Sequence, residues 1–186
     1  MKLGEFTRKD IEEKISTMGD YVKIGYLNNC LKGNLDFDAR RFVLTNLSAL
    51  YEERKMFADA GKMINFAAEI NTTFNGKIHD YLKSVELFIK SGSYDDAELA
   101  VKKALSSANL SQKNEIKRRC KETYKSQVQE YLSKDKRKNA VEVYEILLKL
   151  DLDESEKRDI REKLLPLYER LGRVREFINL RKSLGK

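Results

Sequence analysis

The chain has 186 residues, 41% hydrophobic and 36% charged, with 37 Lys or Arg against 30 Asp or Glu and a net charge of +7. That apolar fraction is low for a globule with one thick core, so it favours a thin architecture in which each helix buries a single stripe. One proline and nine glycines exclude a sandwich or barrel, which needs far more turn punctuation.

Apolar residues recur three and four apart almost throughout, which is the helical period. The spacing predicts helices over residues 7–17, 20–32, 37–54, 56–74, 76–91, 93–108, 111–133, 136–150, 153–171 and 173–184. Thr7-x-x-Asp10 opens the first as a capping box with a short acid, in which a side-chain oxygen accepts from the free N–H groups of the first turn. Phe42, Leu44, Leu47, Leu50 and Tyr51 form the stripe of the third, and Tyr81, Val85, Phe88 and Ile89 that of the fifth. Ser93-x-x-Asp96 opens the sixth in the manner of the first. Val141, Tyr144, Ile146 and Leu148 mark the eighth. Asp153-x-x-Glu156 opens the ninth, which contains Pro166 and should kink there. Gly19, Gly33, Gly92 and Gly172 stand where stripes end, the place of a left-handed glycine closing a helix.

Ten helices in about five pairs invite a search for repeats. One pattern recurs: a large apolar residue, a turn residue four later, then large, small, large and small residues at helical spacing. Its clearest copy is Phe88, Gly92, Tyr94, Ala97, Val101, Ala104. Others are Tyr51, Lys55, Phe57, Ala60, Ile64, Ala67 and Tyr131, Asp135, Arg137, Ala140, Tyr144, Leu147. Degenerate copies stand at the ends: Ile15, Gly19, Tyr21, Ile24, Asn28, Leu31 and Tyr168, Gly172, Val174, Phe177, Arg181, Leu184. The equivalent residues 24, 60, 97, 140 and 177 are 36, 37, 43 and 37 apart. The turn residue ends the first helix of a hairpin, and the small residue lets the second approach it closely. No hairpin buries both its faces alone, so each needs the next stacked on it.

These residues resemble the tetratricopeptide repeat over residues 5–186. The early Trp and the closing Pro of that repeat are missing here, and the period exceeds its usual ~34 residues. In this the chain is similar to divergent long-helix relatives, including the helical array of the soluble NSF attachment proteins. The resemblance implies an all-α superhelix of stacked antiparallel hairpins forming one domain over residues 1–186, with repeats near 5–32, 37–74, 76–108, 111–150 and 153–186. It also implies a concave groove lined by the first helix of each pair, where Thr45, Ala49, Glu52, His79, Leu82, Glu86, Lys125 and Gln129 are placed to face a peptide. Some members grip a C-terminal carboxylate there with Lys, Asn and Arg. The matching places hold Thr45, Ala49, Glu86 and Glu122, and only Lys125 suits that task, so acidic C-terminal tails are not expected as ligands.

Chemistry-bearing patterns are sparse. The single histidine, His79, has no Ser or Cys nucleophile motif beside it, and there is no glycine-rich phosphate loop. Cys30 and Cys120 lack companions at metal spacing and read as reduced, half-buried helix residues. No enzyme activity, metal or cofactor is expected. Residues 1–6 carry no apolar run or cleavage site, and no stretch approaches the ~18 apolar residues of a spanning helix, so a cytoplasmic protein without a membrane span is expected.

Residues 113–138 hold ten basic residues and four acids, so +6 of the +7 lies in one segment. Lys117, Arg118, Arg119, Lys121, Lys125, Lys136, Arg137 and Lys138 form its candidate patch. Interspersed acids at helical spacing favour local ion pairs on a solvated face, though clustered cations also suit phosphates or an acidic protein. The leading expectation is a scaffold or adaptor that binds another protein or peptide in its groove. The alternatives are a nucleic-acid-associated protein using residues 113–138, and a self-associating structural protein.

Overall fold

The computed structural model describes residues 7–185. It contains ten helices: α1 (Arg8–Ser16), α2 (Asp20–Leu31), α3 (Phe37–Glu53), α4 (Phe57–Ile70), α5 (Phe74–Ser91), α6 (Tyr94–Ser106), α7 (Leu110–Ser133), α8 (Arg137–Leu147), α9 (Glu154–Arg170) and α10 (Val174–Ser183). No strand occurs among the described residues. No helix among them is long and apolar enough to cross a membrane. The fold is all-α, and its contacts fall into two units, Met1–Cys120 and Lys121–Lys186, which divide within α7.

The sequence repeat corresponds to one hairpin turn built four times. Lys55, Gly92, Asp135 and Gly172 all take positive φ, at 60°, 80°, 54° and 67°. In each turn the next residue sends its N–H back to the carbonyl of the repeat's aromatic. The four bonds are Met56 to Tyr51 (2.9 Å), Ser93 to Phe88 (2.9 Å), Lys136 to Tyr131 (2.8 Å) and Arg173 to Tyr168 (2.9 Å). This is the Schellman closure, and it satisfies carbonyls left open by the end of the first helix. The following residue starts the second helix with ψ of 61° at Met56, 68° at Ser93, 61° at Lys136 and 67° at Arg173. The carbonyls of those four residues then accept the N–H groups of Ala60, Ala97, Ala140 and Phe177. Turn and small residue are thus joined through one short stretch of backbone.

The fifth, N-terminal copy departs from this geometry. Gly19 has φ −73° and caps α2 from an extended conformation, and its carbonyl accepts from Lys23 instead of Ile24. Gly33 is likewise not left-handed. Two expected capping boxes form, at Thr7 with Asp10 and at Asp153 with Glu156. The one expected at Ser93 does not, because ψ of 68° belongs to the hairpin turn and not to an extended cap; the Ser93 hydroxyl accepts from Ser91 instead. Asn109 and Gln112 form an unforeseen box, each side chain accepting the other's backbone N–H at 2.9 Å. Helix α9 runs through Pro166 to Arg170, losing one N–H donor there.

In the first unit α3, α4, α5 and α6 pack in succession. Small residues set the approach: Ala60, Ala67 and Ala68 are fully buried on α4. The Ser48 hydroxyl on α3 donates to the Ala60 carbonyl at 3.0 Å. Helix α4 stops at Ile70, earlier than its apolar pattern suggests, because the Asn71 side chain accepts from the Thr73 backbone and Thr73 caps Gly76 to open α5. In the second unit Val141, Val143 and Leu147 of α8 and Ile160 and Leu164 of α9 are buried. The Tyr168 hydroxyl and the Arg173 guanidinium both donate to Glu145, which closes α9 against α8. Helix α10 buries no residue fully.

Candidate functional site

The predicted groove residues separate into two groups, one in each unit. In the first, the facing sides of α3 and α5 are joined by ion pairs. Lys83 donates to Glu52 at 2.9 Å and lies 3.9 Å from Glu86, which in turn holds Lys90 at 2.6 Å. Burial works against the Glu86 carboxylate, but the Lys90 hydrogen bond and the charges of Lys83, Lys90 and Arg119 outweigh it and lower its pKa. At the other end Arg41 of α3 reaches buried Asp80 of α5 at 3.1 Å, and Asn71 donates to the same oxygen at 3.0 Å. His79 is exposed and its Nδ1 lies 3.3 Å from the other Asp80 oxygen. Thr45 is half-buried and spends its hydroxyl on the carbonyls of Arg41 and Phe42. Ala49 is exposed, whereas Leu82 is 8% exposed and belongs to the core. This face is therefore a cross-linked polar surface, with Leu82 beneath it.

A second feature of the first unit is a basin of about 670 Å³ lined by residues 72–75 and 106–109 with Gln112. Several of its polar groups are already engaged: Thr73 caps Gly76, and Gln112 pairs with Asn109 while donating to Asn75.

The candidate basic patch is divided between the two units. Lys117, Arg118 and Arg119 belong to the first unit, and Lys121, Lys125, Lys136, Arg137 and Lys138 to the second. Arg118 is tied to Glu115 at 2.6 Å, and Arg137 to Asp135 at 2.8 Å. Lys117 and Arg119 are engaged as well. Lys121 and Lys125 converge on one acid, Glu156 at the start of α9, at 3.1 and 2.8 Å. Hydrogen bonds from Lys125 and Lys121, against a small opposing effect of burial and with help from the Asp153 cap, bring the Glu156 pKa down to about 2. Only Lys136 and Lys138 of the eight carry no such commitment.

The other two predicted groove residues, Lys125 and Gln129, line a furrow in the second unit. One part, about 340 Å³, is lined by Gln129 and Leu132 of α7, Tyr144 of α8, and Lys163, Pro166, Leu167 and Arg170 of α9. A second part of about 330 Å³ shares Gln129, Tyr144 and Lys163 and continues to Lys125, Leu147, Asp159 and Ile160. The floor is apolar, and polar heads stand on the rim. Lys163 is paired with Asp159 at 2.7 Å, which raises its pKa.

In the part around Pro166, five residues escaped sequence reasoning: Leu132, Tyr144, Lys163, Leu167 and Arg170. A sixth, Pro166, was within reach. Ala49, Glu86 and Gln129 occupy one position of the repeat, and the same step of 37 residues beyond Gln129 reaches Pro166. Tyr144 was visible only as a core position of the repeat, and it does double duty as the furrow's floor.

The described residues bring together no group of three or more His, Cys, Asp or Glu able to hold a metal ion. Cys30 and Cys120 are free and buried, and burial pushes the Cys120 thiol up to about 11 and raises that of Cys30. Both are thiols at neutral pH and poor nucleophiles. No protein-family model matches the sequence, and no curated protein matches it.

Proposed function

We propose that this protein is a non-enzymatic helical-repeat scaffold, similar to the tetratricopeptide class, that binds a segment of another protein in the furrow between α7 and α9. The carrying observation is the furrow itself: an apolar floor of Tyr144, Leu132 and Leu167 with a few polar groups, Gln129 among them, on its edge. That combination suits recognition of a short segment, since the apolar floor supplies binding energy and the polar rim supplies orientation. Its size, near the lower end of the ~300–1,000 Å³ of ligand pockets, suits one large side chain with its adjoining peptide units and not a folded domain.

The first unit supports the same reading through a different role. Its corresponding face is occupied by the Glu52–Lys83–Glu86–Lys90 chain, which holds α3 to α5 and leaves the second unit as the binding part. The test is an amide chemical-shift map of the full chain with a peptide selected from a random display library. Shifts confined to residues 125–132, 144–147 and 159–170 are expected. Failure to select any peptide, or shifts centred on α3 and α5, would remove this reading.

A further inference from the structure

The charges along the furrow are unequally committed. Lys125 is held by Glu156 and Lys163 by Asp159. Arg170 lines the part around Pro166, is exposed, and forms no ion pair or hydrogen bond with another described side chain. The sequence explains why. Lys163 and Lys157 have acids four and three residues before them, Asp159 and Glu154, and both pairs form. At the same spacings before Arg170 stand Pro166 and Leu167. A proline at that place supplies no carboxylate, and its ring forms part of the furrow wall instead. The result is one uncompensated guanidinium at the rim of an apolar slot.

We infer that the furrow selects an internal peptide segment carrying a large apolar side chain close to an aspartate or glutamate, the apolar group resting on Tyr144 and Leu167 and the carboxylate held by Arg170. The inference rests on the scaffold reading above and gives it a ligand class. Guanidinium is a strong, always-charged donor set whose geometry matches carboxylate. A segment bearing Lys or Arg at that place would instead meet the Arg170 guanidinium with like charge. Nucleic acid fits less well, because phosphates need a track of free cations and the furrow offers one above an apolar floor. The furrow continues past Lys163 to Leu147 and Ile160, so a chain can lie along it without ending there. That favours a side-chain carboxylate over a terminal one.

The experiment uses the full chain and random 16-residue peptides displayed with their C-termini fused, so that no free carboxyl terminus is offered. Sequences with Leu, Ile, Phe or Tyr within about three residues of Asp or Glu should be enriched. Affinity of the best sequence, made as a C-terminally amidated peptide, is then read by fluorescence anisotropy. Changing its acid to the amide, or Arg170→Glu in the protein, should weaken binding about tenfold or more, the loss of one charge-assisted contact. Replacing the peptide acid by Lys should restore part of the affinity toward R170E. Arg170→Gln serves as the milder variant, and matched thermal melts show that the fold is intact. Peptides that shift the furrow's amides but change affinity less than twofold in both substitutions would overturn the acid selection and leave the scaffold reading standing. Binding that demands a free C-terminal carboxylate would also overturn it. Selected peptides that leave the furrow's amides unmoved would overturn both.

Discussion

Gly61 of α4 lies directly under the Phe88 ring of α5: a Cβ on the glycine would sit 2.8 Å from two ring carbons. Phe88 is the aromatic of the clearest repeat, is 3% exposed, and also supplies the carbonyl that closes the hairpin turn at Ser93. Its ring is buried among its neighbours and has little free space to retreat into. Gly61→Ala is therefore expected to destabilise the first unit by ~1–3 kcal/mol through overpacking, despite the better helix propensity of alanine. Urea denaturation followed by circular dichroism measures it. An unchanged or higher midpoint would mean that Phe88 has room to move.

The four left-handed turn residues give a graded comparison. Non-glycine residues pay roughly 1–2 kcal/mol in this conformation, and glycine pays little. Lys55→Gly should stabilise by about 0.5–1 kcal/mol, since Lys55 keeps a φ of 60° without a described compensating bond of its side chain. Asp135→Gly should gain less, because the Asp135 carboxylate holds Arg137 at 2.8 Å and aspartate tolerates this region better. Gly92→Ala should lose about 1 kcal/mol, its φ being 80°. Thermal melts of the three variants would contradict the shared geometry if Lys55→Gly proved neutral or harmful.

How much of this was readable beforehand varies with the kind of interaction. The turn pattern was fully visible at Tyr51–Ala60, Phe88–Ala97 and Tyr131–Ala140, because backbone closure depends on local order alone. It misled at Gly19, where the same residue types open a helix from an extended cap. Ser93 had the right spacing for a capping box, but the preceding left-handed turn dictates its ψ. Lys125 and Gln129 were placed on one face by the periodicity of a first helix, and both line the furrow. Arg170 was not, because its importance lies in an ion pair that never forms, and that requires knowing which acids reach which cations. Leu82 was placed on the groove by the same periodicity, yet it is buried in the core.

Glu156 is the acid on which the second unit's α7 and α9 meet. Its pKa is lowered from the ordinary 4.5 to about 2, so its contribution is complete above about 4.5 and is lost as pH falls from there through about 2. Glu156→Gln should cost about 1 kcal/mol at pH 7, since it weakens a capping box and releases two partly exposed ion pairs. The difference between wild type and variant should shrink as pH is lowered toward 2. Urea midpoints at pH 7, 4 and 3 test this, and a constant gap across them would mean that Lys121 and Lys125 do not hold the carboxylate.

The basic segment makes a quantitative prediction about phosphates. Each cation that neutralises a phosphate adds about −0.9 to the slope of log affinity against log salt on duplex DNA. Within the eight-residue patch only Lys136 and Lys138 lack a commitment, and the two sit together at the start of α8. Binding to a random duplex should therefore be weak, with a slope near −2, and Lys136→Glu with Lys138→Glu should abolish most of it. Arg118→Glu with Arg119→Glu should matter less, since Arg118 is already bound to Glu115 and Arg119 lies beside Glu86 and Glu115. A gel-shift series from low to physiological salt measures the slope. A value steeper than about −5, lost in the Arg118 and Arg119 variant, would mean that phosphates outcompete these local acids, and the nucleic-acid role would then displace the peptide-binding one.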